Sequence, residues 1–120
     1  VNGKLYSCDI EKKNVDNARK FTKKNSNYIT FVVDDSLNFL KNFKFEIDFL
    51  YLDSLDGQFE NASSHQLQEI KNSIDKLKKN SLVLLDDKGV KTKLSVKYMQ
   101  ENNFEIINET ENQVLLTFNK

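Results

Sequence analysis

Hydrophobic residues in this chain come in short runs that end in acid. "ITFVVDDS" closes on Asp34 and Asp35, "DFLYLDS" on Asp53, and "SLVLLDDKG" on Asp86 and Asp87. Brief apolar, β-branched runs bounded by turn residues are the pattern of strands covered on both faces. Between the runs the spacing becomes helical. Val15, Ala18 and Phe21 or Thr22 share a face over Glu11 to Lys24, and Leu37, Leu40 and Phe43 do so over Ser36 to Phe43. Leu67, Ile70, Ile74 and Leu77 line a long helix over Ala62 to Lys79, and Leu94, Tyr98 and Met99 a last one over Lys91 to Glu101. "KLYSCDI" supplies an opening strand. "FEIIN" and "QVLLTF" supply two closing ones, joined by the polar link Glu109 to Asn112, which makes an antiparallel hairpin.

Alternation of this kind predicts an α/β fold. Its sheet is mostly parallel and flanked by helices, its crossovers are right-handed, and a C-terminal antiparallel hairpin ends it. A chain of 120 residues is expected to form a single domain, 1–120, with a real core. Ligands bind such sheets outside the carboxyl ends of the strands. Asp9, Asp34, Asp35, Asp53, Asp86 and Asp87 would then share one edge. Clustered carboxylates repel unless a cation or a hydrogen-bond donor lies between them. A positively charged ligand, a ribose diol or a divalent metal would serve. The plainer alternative is that each acid caps the following helix or makes a turn.

Composition narrows the classes. Lys and Arg number 18, Asp and Glu 18, so no global charge favours nucleic acid or an anionic membrane, and neither is expected as a partner. No apolar run approaches the ~20 residues of a membrane span, and Val1 to Leu5 has no apolar core of a signal peptide. The one cysteine, Cys8, rules out an internal disulfide and fits a reducing, cytoplasmic setting, and it reads as core. With His65 the only histidine, a zinc site of nitrogen and sulfur ligands is not expected. Tyr51, between Leu50 and Leu52, reads as core, and Ser63 and Ser64 as capping residues.

The element order, with its final hairpin, resembles the class I S-adenosylmethionine-dependent methyltransferases, which are Rossmann-like. "KLYSCDIEKKNVDNARKF" is similar to the second strand of that family, its acidic tip and the helix that follows. "FVVDDSLNFL" is similar to the third strand, "DFLYLDS" to the fourth and "KNSIDKLKKNSLVLLDD" to the helix, turn and strand ending in paired acids. The resemblance implies S-adenosylmethionine as cofactor. Asp9 would accept hydrogen bonds from both ribose hydroxyls, a task suited to two adjacent acceptor oxygens. Asp35 would bond the adenine amino group, with Ser36 or Leu37 beside the ring, and Ile10, Asp34 and Asp53 would complete the cofactor contacts. Asp53 would face the methionine end and the substrate. By resemblance to cation-dependent O-methyltransferases, Asp53, Asp86 and Asp87 would hold magnesium or manganese, and a small-molecule acceptor would be O-methylated. His65 would act as a general base.

The chain departs from the family pattern twice. Asn80 and Ser81 stand where turn glycines precede the fifth strand, and asparagine tolerates the left-handed conformation required there. The first strand and its glycine-rich loop have no counterpart, since Gly3, Gly57 and Gly89 form no Gly-x-Gly. The family places that strand between its second and fourth. Either the strand of Lys4 to Asp9 pairs directly with Ile47 to Leu52, or a homo-oligomer fills the gap. Two other functions remain open from the residues: a catalytically inactive remnant used for assembly, and a receiver-like signalling module using Asp34, Asp35, Asp53 and Lys88. The spacing between Asp35 and Asp53 is too short for the second.

Overall fold

The computed structural model describes residues 3–54 and 60–119. Asp56, in the acid-rich stretch after the third strand, lies outside them. The chain forms two compact units, Val1–Asn42 and Phe43–Lys120.

In the first unit, β1 (Leu5–Asp9) pairs in parallel with β2 (Ile29–Val33), in register from Leu5 opposite Ile29 to Asp9 opposite Val33. Helix α1 (Lys12–Phe21) buries Val15. It stops three residues short of the predicted Lys24. The Thr22 hydroxyl donates to the Ala18 carbonyl at 2.8 Å, and the chain tightens into a 3-10 stretch over Lys23–Tyr28. Phe21, predicted to face inward, is 83% exposed as a result. The short α2 (Ser36–Asn42) buries Leu40.

The second unit is a four-stranded sheet of order β3-β4-β6-β5, with β3 (Ile47–Leu52), β4 (Leu77–Asp86), β5 (Phe104–Glu109) and β6 (Gln113–Phe118). β3 and β4 run parallel, and β6 lies antiparallel to both β4 and β5, so the predicted hairpin is present. Among the described residues the strands make two sheets, one in each unit. Leu50, Leu52, Val83, Leu85, Val114 and Leu116 alternate inward along the strands, which is the period-two burial that makes a sheet core.

Helices α3 (Ala62–Ser73) and α4 (Val90–Glu101) pack on each other. The predicted long helix ends early, because the Ser73 hydroxyl bonds back to the Glu69 carbonyl at 2.9 Å. Leu77, assigned from sequence to that helix, opens β4 instead. The inward face of α3 is Gln66, Glu69, Ile70 and Ser73, and that of α4 is Lys91, Thr92, Ser95 and Met99. Both faces are more polar than the apolar stripes predicted: Ile70 and Met99 are buried as expected, but Leu94 is exposed. Asn80 has a φ of 72°, the left-handed turn that its place before the apolar run implied. No described helix is long and apolar enough to cross a membrane.

Candidate functional site

The strand ends of each unit carry the acids. In the first unit the β1–β2 register sets Asp9 opposite Val33, so Asp9, Ile10, Asp34 and Asp35 leave the sheet at one end. The Asp9 carboxylate accepts the Glu11 N–H at 2.8 Å, and Asn14 Nδ2 donates to both its oxygens at 3.3 and 3.2 Å. Asp35 Oδ1 accepts the Leu37 N–H at 2.9 Å, and Asp34 accepts its neighbour's N–H and Asn38 Nδ2. All three acids therefore satisfy helix-start amides or asparagines, as the plainer alternative required. Beside them stand two open apolar residues, Ile10 at 68% exposure and Val33 at 48%. Ser36 begins α2. The Cys8 thiol donates to the Asp34 carbonyl at 3.2 Å. Burial, reinforced by the Asp34 charge, pushes its pKa up to about 11. It is part-buried rather than core.

In the second unit β3 and β4 end side by side, Leu52 opposite Leu85, and bring Asp53 and Asp86 together. Their carboxyls hydrogen-bond. Burial pushes the Asp53 pKa up to about 6, helped by that bond and by the Asp86 charge. Asp86 moves below the usual carboxylate range because it accepts the bond from Asp53 and others from Gln113 and the Asp87 amide. Below about pH 6 the pair holds one proton, on Asp53, with the charge on Asp86. Gln113 Nε2 reaches Asp86 Oδ1 at 3.1 Å from the first residue of β6. Tyr51 is 47% exposed, not core, and its phenol bonds to Gln113 and Asp53. Burial and the Asp53 charge raise its pKa.

Asp87 follows in the left-handed region, with a φ of 57°. Its Oδ2 lies 3.5 Å from Lys91 Nζ, a side chain 1% exposed. The Lys91 charge also acts on Asp53 and Asp86. Among the described residues no three carboxylate, imidazole or thiol groups are placed to hold a metal ion. The cation predicted at Asp53, Asp86 and Asp87 does not fit this arrangement: Asp53 and Asp86 turn to each other and Asp87 pairs with an ammonium. His65 sits in the first turn of α3, with Nε2 3.7 Å from Glu69 Oε2 one turn on. The α3 cap is Asn61 rather than Ser63 or Ser64, and Ser64 donates to the Asn61 carbonyl.

Lys91, Glu69 and Gln113 were missed from sequence. Lys91 had a signal, its position four residues after Asp87 at the start of a helix. Gln113 had none, because its approach to Asp86 depends on the register between β4 and β6.

A family model described as a methyltransferase domain matches residues 1–88. The chain belongs to that methyltransferase family. The receiver-like alternative is set aside by this match. No curated protein matches the chain. Its fold is the Rossmann-like fold of class I S-adenosylmethionine-dependent methyltransferases, shared with solved structures at low identity. The rRNA methylase from Streptococcus thermophilus aligns with a TM-score of 0.73 and 12% identity, over 98% of this chain and 74% of that one. The Podospora anserina methyltransferase PaMTH1, bound to SAH, gives 0.75 and 14% over 98% and 61%. The O-methyltransferase from Bacillus cereus, in complex with SAH, gives 0.72 and 12% over 98% and 64%. The expectation of no nucleic-acid partner does not stand, since rRNA methylases recur among structures of this methyltransferase fold. The zero net charge behind that expectation averages over the whole surface, whereas phosphates respond to local clusters of lysine.

Proposed function

We propose that this methyltransferase-family chain serves S-adenosylmethionine-dependent methyl transfer to an RNA acceptor. The carrying observation is the β1–β2 register, which gathers Asp9, Ile10, Asp34 and Asp35 at one strand end. Asp9 would take the ribose hydroxyls, and Asp35 with Ser36 the adenine. Ile10 and Val33 offer open apolar surface for a purine ring. When bound, the cofactor supplies an electrophilic methyl group. The chain's own share is to hold acceptor and donor in line. Asp53 faces the acceptor, and His65, braced by Glu69, takes a proton where the acceptor must lose one. An RNA acceptor is favoured by the rRNA methylases of this fold. It is favoured also by an open groove of about 290 Å³ between α4 and the β5–β6 hairpin, lined by Lys93 and Lys97 and by Lys88, which pairs with Glu109 at 3.2 Å. Lysines along a groove bind phosphate irrespective of sequence.

A second reading, O-methylation, is favoured by the Bacillus cereus structure. Calorimetric titration with S-adenosylhomocysteine tests the cofactor site. Saturable binding that Asp9→Ala abolishes is expected. No binding at millimolar ligand would leave the chain as an inactive remnant.

A further inference from the structure

Lys91 is placed where a lysine should not be. It is the second residue of α4, where the helix dipole opposes a positive charge. Its side chain is 1% exposed, and no hydrogen bond satisfies its Nζ among the described residues. A buried, poorly bonded ammonium is costly unless anions surround it. Here they do. Asp87 Oδ2 is at 3.5 Å, and the lysine charge reaches both Asp53 and Asp86. The acids need the lysine as much as the lysine needs them, because carboxylates at adjacent strand ends repel each other unless a positive charge lies close by.

A divalent ion would answer the same need, but these residues, arranged around Lys91, do not suit one while the lysine is in place. Asp53 and Asp86 spend oxygens on each other, Gln113 occupies Asp86 Oδ1, and the left-handed turn at Asp87 carries the third carboxylate to Lys91. We propose that Lys91 is the resident cation of this acidic edge and fills the place of a divalent metal. If the methyltransferase reading above holds, the acceptor at this edge is not chelated through a metal. It belongs to the substrates gripped by hydrogen bonds and stacking, such as a nucleobase, and not to vicinal diols anchored on magnesium.

The test is metal binding, which needs no methyl transfer. Wild-type protein titrated with MnCl2 and MgCl2 to millimolar concentration is expected to show no saturable rise in Tm. Manganese should produce no paramagnetic broadening centred on the amides of Asp86 and Asp87. Saturable binding there, lost in Asp86→Asn, would overturn the proposal. Lys91→Met is expected to have a lowered Tm that manganese restores, since the ion then replaces the missing charge. A Lys91→Met protein that is folded and indifferent to manganese, or unfolded and not rescued by it, would also overturn the proposal. Failure of S-adenosylhomocysteine to bind would remove the methyltransferase reading and leave this result standing.

Discussion

Gln113 reaches across from β6 to Asp86, with Nε2 donating to Oδ1 at 3.1 Å, and so holds the acceptor of the proton carried by Asp53. The pair makes stability depend on pH. Asp53 titrates at about 6 in the folded chain against an ordinary 3.8, so between these values the folded state binds more protons than the unfolded state. Stability from this group is present at low pH and lost as pH rises through that window. Asp53→Asn keeps a donor for Asp86 and cannot ionise. Its Tm should exceed that of the wild type at about pH 8, and the difference should vanish by about pH 4. Asp53 is only partly withdrawn from water, so screening keeps the gain modest. A Tm difference independent of pH would refute the shared proton.

Cys8 should be a slow thiol. Its pKa of about 11 against an ordinary 9.0 lowers the thiolate fraction near neutrality roughly a hundredfold. Alkylation by iodoacetamide should lag a free cysteine by about that factor, and the lag should persist at low salt. Labelling as fast as glutathione would contradict the part-buried bond to Asp34.

Ser81 ties β4 to β3. Its hydroxyl donates to the Ile47 carbonyl at 2.7 Å and accepts the Lys78 N–H at 2.9 Å, at the bulge where the strand register shifts. The residue is buried, so Ser81→Ala leaves a carbonyl and an amide without this partner. Urea unfolding should show a loss of about 1–3 kcal/mol. A change below about 0.5 kcal/mol would mean that backbone or water replaces the hydroxyl.

Gly89 caps α4 at a φ of 132° and a ψ of −130°. A β-carbon added there meets no atom within 4 Å, so any cost of Gly89→Ala is backbone strain alone. That strain is on the order of 1–3 kcal/mol. The Thr92 hydroxyl, which accepts the Gly89 N–H at 3.1 Å, should keep the helix start in place. Equal stability of the two proteins would show that this turn relaxes freely.

The strands were legible because their signal is local. "ITFVV" and "IDFLYL" become β2 and β3 within a residue of the pattern, and each ends in the acid its sequence shows. The hairpin was equally legible, and the left-handed turn at Asn80 followed from asparagine standing where glycine is usual. Helix ends were less so. Thr22 and Ser73 turn their hydroxyls back on the preceding carbonyls, and either residue could as readily have continued the helix.

What the sequence determined by itself is the order of elements and the acids at the strand tips, since both follow from neighbours along the chain. Tertiary structure alone decided which face of each helix turns inward and what those acids meet. α3 and α4 are rotated so that Glu69 and Lys91 are buried while Leu94 is exposed. Asp86 finds Gln113 across 27 residues of chain, and Asp53 finds Asp86 across two strands. Helical periodicity admits neighbouring rotations of nearly equal hydrophobicity. The choice between them is made by long-range packing and by the need to surround each buried charge with opposite charge, and no local window of sequence contains that information.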